Sequence, residues 1–155
     1  MMRAAIFAID TGAYKAKAES AAATALKRLL EQAGFEVKAA GIPPQEKEVV
    51  ASVIAQLSDS EAVELILTTG AIGYLEEDCA ADAVIDTAER LLPGIPEALR
   101  AYNLRYSKEA ILETMAAGIR SRTLVINLPE SAKTAKEDME YILPEVVQVV
   151  ENISL

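Results

Sequence analysis

The segment that determines the expected fold reads Val63-Glu64-Leu65-Ile66-Leu67-Thr68-Thr69-Gly70-Ala71-Ile72-Gly73. Apart from Glu64, its first seven residues are aliphatic or β-branched, with the length and composition of a strand that is covered on both faces. The two glycines that follow are typical of a tight turn, in which backbone N–H groups can approach a ligand closely. A buried strand that ends in such a turn and leads into a helix is the repeating unit of a parallel α/β sheet.

Three other aliphatic runs have the same character as this strand, and helical periodicity fills the intervals between them. The predicted strands are residues 4–9, 35–40, 63–69 and 123–128. The predicted helices are residues 18–33, 44–57, 79–92, 97–102 and 134–153, the last with a bend or restart at Pro144. Gly34 is a natural C-terminal stop for the first of these helices. The alternation of strand and helix predicts crossover connections, and therefore a three-layer α/β/α sandwich with a mainly parallel sheet. Without a linker or repeat, residues 1–155 are expected to form one domain.

The segment 107–121 permits two interpretations. Ser107-Lys108-Glu109-Ala110 could cap a helix that runs to Gly118. Gly118 could instead belong to a turn that precedes the next strand.

Composition and charge exclude several classes of function. Lys and Arg number 15 against 24 Asp and Glu, which gives a net charge of −9 and argues against binding to nucleic acid or to an anionic membrane. The chain has no histidine, so serine–histidine catalysis and imidazole metal ligands are excluded. The single cysteine, Cys79, excludes an internal disulfide and is compatible with a reducing cytoplasm. The apolar run near the N-terminus is too short for a signal peptide or a spanning helix, so a cytoplasmic location is expected.

Three loops after predicted strands are candidate ligand sites, because ligands of such sheets bind beyond the carboxyl ends of the strands. They are residues 10–13, 68–78 and 127–133. The second could bind an anion through its backbone N–H groups and the N-terminus of the next helix. The alternative is an ordinary turn in which Asp78 only caps that helix. Arg100, Arg105, Arg120 and Arg122 are the candidate cationic partners of a ligand phosphate, although arginines lie on the surface by default. Cys79 is expected to be a small buried residue rather than a nucleophile.

Specific strings occur in a fixed order along the chain. They are Leu67-Thr68-Thr69-Gly70 with Gly73 and Asp78, then Leu92-Pro93-Gly94-Ile95-Pro96-Glu97-Ala98-Leu99-Arg100, then Arg122-Thr123-Leu124-Val125-Ile126-Asn127-Leu128-Pro129 with Ser131 and Lys133. In this combination the sequence resembles the molybdopterin-binding family over essentially its whole length. That family includes the proteins of molybdenum cofactor biosynthesis that adenylylate molybdopterin before metal insertion.

The resemblance implies a set of expectations about assembly, ligands and site residues. It implies a homotrimer or a hexamer of trimers, molybdopterin as ligand or substrate, and Mg²⁺ and ATP if the chain is catalytic. Asp78 would be the catalytic residue and would support the magnesium ion. The cofactor-binding residues would be Thr69, Gly70, Gly73, Asp82, Pro129, Ser131 and Lys133. Ser131 and Lys133 could instead cap the last helix and lie on its exposed face. A short strand within 107–121, paired with 123–128, is also implied.

The chain departs from the pattern of the family at the nucleotide site. Ala71 replaces a glycine, Ile72 a threonine, Glu77 an arginine and Glu130 a glycine. Between Gly70 and Asp82 the sequence holds carboxylates and no Lys or Arg, which would repel a triphosphate unless magnesium intervenes. The sequence therefore predicts a molybdopterin-binding protein that could also adenylylate molybdopterin. The alternative is a non-catalytic oligomeric binding or scaffold protein, a pseudoenzyme, that kept the fold and lost the nucleotide site.

Overall fold

The computed structural model describes residues 2–10, 12 and 19–154, and these contain a six-stranded sheet. Its strands are β1 (Met2–Ala8), β2 (Phe35–Gly41), β3 (Leu65–Thr69), β4 (Arg90–Leu91), β5 (Ala117–Arg120) and β6 (Thr123–Leu128). The order across the sheet is β2-β1-β3-β6-β5-β4. Strands β2, β1, β3 and β6 are parallel, and β5 and β4 extend the sheet in antiparallel fashion. All four predicted strands are confirmed, but the burial expected of residues 35–40 is wrong, because β2 lies at the edge of the sheet and only Phe35 in it is buried.

The helices pack in two groups around the sheet. They are α1 (Ala21–Gln32), α2 (Lys47–Asp59), α3 (Ala80–Thr87), α4 (Gly94–Asn103) and α5 (Ala132–Ile153). Helix α5 packs on α1 and α4, whereas α2 packs on α3. Strands β3 and β6 are buried along their whole length, as strands between two helical layers must be. The predicted three-layer α/β architecture with a mainly parallel sheet is confirmed. No helix in the described part of the chain combines the length and the apolar character needed to cross a membrane.

Local sequence signals set the bounds of the first helix. Ser20 caps α1, and its Oγ accepts a hydrogen bond from the N–H of Ala23 at 3.1 Å. Gly34 follows the helix with φ at 95°, a conformation that favours glycine, so the predicted stop is confirmed. Residue 18, at which the predicted helix began, lies outside the described residues.

Several predicted helix bounds are wrong. The helix predicted over 97–102 is α4 and begins at Gly94, because the N–H of Glu97 already donates to the carbonyl of Pro93. The helix predicted over 79–92 ends at Thr87, because Glu89 and Leu92 donate backbone hydrogen bonds to Ile119 and Ala117 and so add β4 to the sheet. Helix α2 begins at Lys47 rather than at residue 44, because the N–H of Glu46 closes a turn onto the carbonyl of Pro44.

The last helix begins at Ala132 rather than at residue 134 and does not restart at Pro144. A proline inside a helix removes one hydrogen bond and crowds the preceding turn. Ile142 and Val146 are nevertheless buried on either side of Pro144, and their packing favours a continuous helix.

Both interpretations of 107–121 are wrong at Gly118, which lies neither at the end of a helix nor in a turn but pairs with Val125 inside β5. Residues Lys108–Leu112 form a short 3₁₀-helix, and β5 follows at Ala117–Arg120. Strand β5 pairs with β6 through a two-residue hairpin turn at Ser121 and Arg122. The helix running to Gly118 is therefore wrong, and the short strand implied by the family resemblance is confirmed. An added Cβ at Gly118 would lie 2.9 Å from the carbonyl oxygen of Arg90, which explains the glycine where β5 meets β4.

Candidate functional site

In the described part of the chain, two clefts open at the carboxyl ends of β1, β3 and β6. The larger has a volume of about 650 Å³ and is lined by residues of the loop after β3, the segment between α4 and Glu113, and the first turns of α5. The smaller, of about 190 Å³, is lined by Asp10, Glu19, Ser20 and Thr69, among others. The clefts therefore lie at the edge of the sheet where a ligand was predicted. Of the first candidate loop, Thr11 and Ala13 lie outside the described residues.

The loop after β3 has an unusual backbone. Gly70 has φ at 84°, and an added Cβ there would lie 3.0 Å from the carbonyl oxygen of Ile9. Its N–H donates to the carbonyl of Leu128 at 3.1 Å, so this group serves the sheet rather than a ligand. Ala71 also has a positive φ, 56°, which a side chain disfavours. Within residues 2–10, 12 and 19–154, the N–H groups of Ala71, Ile72 and Gly73 have no hydrogen-bond acceptor.

Thr114, next to Glu113 of the cleft lining, holds this loop by direct hydrogen bonds. Its backbone N–H donates to the carbonyl of Ile72 at 2.7 Å, and its hydroxyl lies within hydrogen-bond distance of the carbonyls of both Ile72 and Gly73. The sequence analysis missed this residue. A lone threonine at the end of an irregular segment carries no signal, because its partners are backbone atoms that lie 41 and 42 positions away.

Asp78 closes the same loop and does not cap the next helix. Its Oδ2 accepts from the N–H of Leu75 at 3.1 Å, and its Oδ1 accepts from Nε2 of Gln45 at 3.3 Å. The carboxylate packs against Gly73, where any Cβ would collide with it. Cys79 is the N-cap residue of α3, without a side-chain capping bond, so the capping interpretation of Asp78 is wrong.

Asp78 itself lines neither cleft, and two of its neighbours also lie away from them. Asp82 lies in the first turn of α3 with an exposed side chain and lines neither cleft. Cys79 is buried, and burial raises the pKa of its thiol, which keeps the thiol protonated and unreactive.

The loop after β6 contributes Pro129, Ser131 and Lys133 to the larger cleft, and Gly73 lines its opposite wall. The Oγ of Ser131 caps α5 by accepting from the N–H of Thr134 at 3.4 Å, as the capping alternative predicted. Lys133 is exposed, with its Nζ 4.0 Å from a carboxylate oxygen of Glu137. Four of the predicted residues are thus brought together in one cleft, whereas Thr69 lines the smaller one.

Glu130 lines both clefts and lies where they meet. Its Cγ would be 4.0 Å from a Cβ added at Gly70. The lining of the larger cleft is acidic, since Lys133 is its single cation among the described residues. The carboxylates there are Glu109, Glu113, Glu130 and Glu137. Burial raises the pKa of Glu113, and the charge of Arg100 opposes that rise.

The four arginines that were candidates for a ligand phosphate have other partners. Arg100 donates to the carbonyl of Glu113 at 2.8 Å, and Arg105 stacks over the ring of Tyr102 with its guanidinium carbon 4.1 Å from the centroid. Arg120 forms an ion pair with Asp59 at 2.9 Å, and Arg122 approaches Glu61 at 3.9 Å. None of the four is among the described residues that line either cleft.

A buried polar pair lies beside the larger cleft. Asp138 is fully buried on α5, and its Oδ2 accepts from Nδ2 of Asn103 on α4 at 2.9 Å. Burial raises the pKa of Asp138 to about 6. Its Oδ1 has no hydrogen-bond partner within the described part of the chain. Asn103 lines the cleft, so the pair connects a buried carboxyl to the ligand space. The sequence analysis missed it, because neither residue stands in a recognisable motif.

Comparison with known proteins places residues 5–148 in one family. The family model that matches them carries the description "Probable molybdopterin binding domain". Curated relatives carry the name molybdopterin adenylyltransferase. The protein from Helicobacter pylori is 31% identical over 112 residues, which cover 72% of this chain and 64% of the relative. The protein from Escherichia coli K12 is 34% identical over 97 residues, 63% of this chain and 50% of the relative. The chain thus spans half to just under two thirds of these relatives.

Solved structures match over nearly full length. The molybdopterin biosynthesis enzyme MoaB from Thermus thermophilus has a TM-score of 0.85 at 32% identity, with 97% of this chain and 98% of that chain covered. The molybdopterin biosynthesis Mog protein from Mycobacterium ulcerans has a TM-score of 0.92 at 21% identity, with 99% of each chain covered, and supports the fold alone.

Proposed function

The chain belongs to the family of molybdopterin-binding domains, and from this membership we propose that it is a molybdopterin-binding protein of molybdenum cofactor biosynthesis. The observation that carries the proposal is the larger cleft, which is lined both by the N-terminal residues of α5 and by Ile72 and Gly73, whose backbone N–H groups have no acceptor among the described residues. Backbone donors of this kind suit an anion such as the terminal phosphate of molybdopterin. Residues 1–155 would act as a single domain.

The phosphate and the pterin ring need different hydrogen-bonding groups from the cleft. Lys133 and the hydroxyl of Ser131 would add a charge and a donor to the backbone N–H groups that receive the phosphate. Of the acidic lining residues, Glu113 lies on the segment before β5 and Glu137 lies one turn after Lys133 on α5, and their carboxylates suit the N–H groups of a pterin ring. Thr69, Gly70 and Gly73 would shape the loop rather than bind the ligand through side chains.

Within this function, we propose a more specific activity, the adenylylation of molybdopterin with MgATP. Within the described residues, no three acidic, cysteine or histidine side chains converge as a metal site. Magnesium that is held by one or two carboxylates and by substrate phosphates does not need such a cluster. Asp78 offers one such carboxylate, and its bond to Gln45 is long at 3.3 Å. When bound, the ion would neutralise phosphate charge. Asp82 would contact the ligand only if the ligand reached the exposed face of α3.

A second candidate function is a pseudoenzyme that binds the pterin without transferring a nucleotide. Glu130 favours it, because a carboxylate at the junction of the clefts faces the path that a second, phosphate-bearing ligand would take. Two unit charges 4 Å apart near a protein surface interact by about 4 kcal/mol. One glutamate is therefore sufficient to abolish most of the affinity for a nucleotide.

Anaerobic calorimetric titration with molybdopterin, with and without MgATP, tests these alternatives. Molybdopterin binding together with ATP-dependent release of pyrophosphate would establish the adenylyltransferase. Binding without turnover would establish the pseudoenzyme. No heat with molybdopterin in either titration would contradict the proposed function itself.

The triple variant Glu130→Gly, Ala71→Gly and Ile72→Thr reverses three of the four departures from the family pattern at the nucleotide site. If the wild-type protein lacks nucleotide affinity, MgATP should raise the Tm of this variant only, since a ligand stabilises the state that it binds. Glu109→Gly is the matched control, because it removes a glutamate from the same cleft but not from the junction. An equal effect of both changes would contradict the role given to Glu130.

A further inference from the structure

In the buried pair of Asn103 and Asp138, the chemistry of the two side chains decides which one donates the hydrogen bond. An ionised carboxylate can only accept hydrogen bonds, so the amide of Asn103 must turn its Nδ2 towards Asp138, as observed at 2.9 Å. Oδ1 of Asn103 is then the remaining polar atom of that side chain. Among the described residues no donor bonds to it. Because Asn103 lines the larger cleft, this oxygen is an acceptor available to a ligand.

Asp138 is fully buried, yet its second carboxylate oxygen has no partner among the described residues. A buried acceptor without a partner lowers stability, typically by about 1–3 kcal/mol, so the pair is not explained by packing alone. Helical geometry puts Asp138 one turn after Thr134 on the same face of α5, and Thr134 lines the cleft.

We propose that Asp138 is a positioning residue that orients the amide of Asn103 so that its Oδ1 accepts an N–H group from the planar heterocycle bound in the larger cleft. This inference rests on the proposed function and deepens it, because it assigns a recognition point for the ring of the ligand. The ligand class is a heterocycle with N–H donors along one edge, as in the amino-substituted ring of a pterin. Carboxylates that line the same cleft, Glu113 and Glu137, favour the same donor-rich edge.

The mechanism makes ligand affinity depend on pH. Once Asp138 is protonated, its O–H can donate to Oδ1 of Asn103, and the amide can adopt the opposite orientation, which offers an N–H to the cleft instead. The charged groups that act on Asp138 in the described structure are Glu137 on its own helix and Glu113, which lies beside Arg100 of α4. Both are negative and disfavour the ionised form, which moves the titration towards neutral pH.

The experiment measures binding of molybdopterin, under anaerobic conditions, and of the stable probe 6-hydroxymethylpterin, at about pH 5 and about pH 7.5. The wild-type protein should bind both compounds about three- to tenfold more weakly at the lower pH. This is the change in affinity that the loss of one neutral hydrogen bond produces. Asp138→Asn should remove this pH dependence, because an amide at position 138 supports either orientation of Asn103 at any pH. Glu140→Gln is the matched control and should retain the dependence, since it removes an exposed carboxylate from the same helix, outside the cleft lining, and leaves the pair intact.

A double variant, Asn103→Leu with Asp138→Leu, guards against loss of folding, because the replacement of both hydrogen-bond partners by apolar groups of similar shape is close to neutral. It should bind about tenfold more weakly at both pH values. Two outcomes would overturn this inference and leave the proposed function intact. The double variant could bind molybdopterin as well as the wild-type protein does, or Asp138→Asn could keep the pH dependence. Failure of the wild-type protein to bind molybdopterin at either pH would overturn the proposed function and the inference with it.

Discussion

At the scale of single residues, Ala71 carries a backbone conformation that its side chain opposes. Its φ of 56° lies in the left-handed region, where an L-residue other than glycine is strained by about 1–2 kcal/mol. Ala71→Gly relieves this strain, although glycine also raises the entropy of the unfolded chain by about 0.4–1 kcal/mol. We expect a net gain of up to about 1 kcal/mol in the free energy of unfolding, measured by urea denaturation.

The same substitution in a helix is the matched control for Ala71→Gly. Ala101 lies in α4 with an exposed side chain, and Ala101→Gly should lower the free energy of unfolding by about 1 kcal/mol. Equal and negative changes at both positions would contradict the assignment of strain to Ala71.

Asp138 makes the stability of the protein depend on pH. Burial raises its pKa to about 6, so between about pH 4 and pH 6 the native state binds more protons than the unfolded state. The free energy of unfolding therefore falls as the pH rises through this window, by about 2–3 kcal/mol, and stays lower above it. Asp138→Asn should raise stability relative to the wild-type protein at pH 7 by about this amount and much less at pH 4.

Urea denaturation at several pH values measures this difference. The contribution of the other carboxylates to the pH dependence cancels, because it is present in both the variant and the wild-type protein. Glu140→Gln, which changes an exposed acid on the same helix, should show little dependence on pH. A constant difference between Asp138→Asn and the wild-type protein from pH 4 to pH 8 would contradict the raised pKa.

At the scale of elements, Thr114 joins the segment before β5 to the loop after β3. Thr114→Val retains the shape and the backbone hydrogen bond to Ile72 but removes the hydroxyl that is within reach of the carbonyls of Ile72 and Gly73. We expect a global loss of about 1 kcal/mol and a larger local effect, with faster amide hydrogen exchange over residues 70–78. Thr114→Ser, which keeps the hydroxyl, should leave exchange in this loop close to that of the wild-type protein. If the two variants exchange alike, the hydroxyl does not hold the loop.

The strands and the site differ in how far the sequence predicts them. Hydrophobic runs identify β1, β3 and β6, because extensive burial requires apolar residues. The run over β2 also indicates a strand, although β2 lies at the edge of the sheet and only Phe35 in it is buried. Asn127 breaks that pattern in β6 for a structural reason that no pattern reveals. Its Oδ1 accepts from the N–H of Ala116 at 3.0 Å, and its Nδ2 donates to Oγ1 of Thr68 at 2.7 Å. It connects β3 to the residue before β5, so an asparagine in a motif can serve the sheet as well as a ligand.

At the scale of the whole molecule, parallel topology explains why some site residues were predictable. The carboxyl ends of β1, β3 and β6 meet at one edge, so Thr69, Gly73 and Ser131 converge although 62 positions separate the first from the last. The resemblance to a family supplied the same residues by motif. Neither periodicity nor motif encodes side-chain contacts between distant segments. Such contacts pair Asn103 with Asp138, and they give the four candidate arginines partners other than a ligand.

The last prediction concerns assembly. Large apolar side chains remain exposed on the described surface, including Tyr74, Ile111, Leu112 and Tyr141 at 51–72% exposure, more than an isolated chain would retain without cost. We propose that the protein is a homotrimer or a hexamer in solution. Light scattering coupled to size-exclusion chromatography should therefore give about 50 kDa or about 100 kDa, three or six chains of 16.6 kDa.

Net charge gives this assembly a salt dependence. Each chain carries −9, so three chains carry −27, and their mutual repulsion is screened only when the Debye length is short, about 10 Å at 0.1 M ionic strength and about 3 Å at 1 M. Dilution should dissociate the oligomer at a higher protein concentration in low salt than in high salt, because apolar contacts hold it together and charges oppose it. A mass of 16.6 kDa at high salt and high protein concentration would contradict the oligomer, and dissociation promoted by salt would indicate an interface of ion pairs instead.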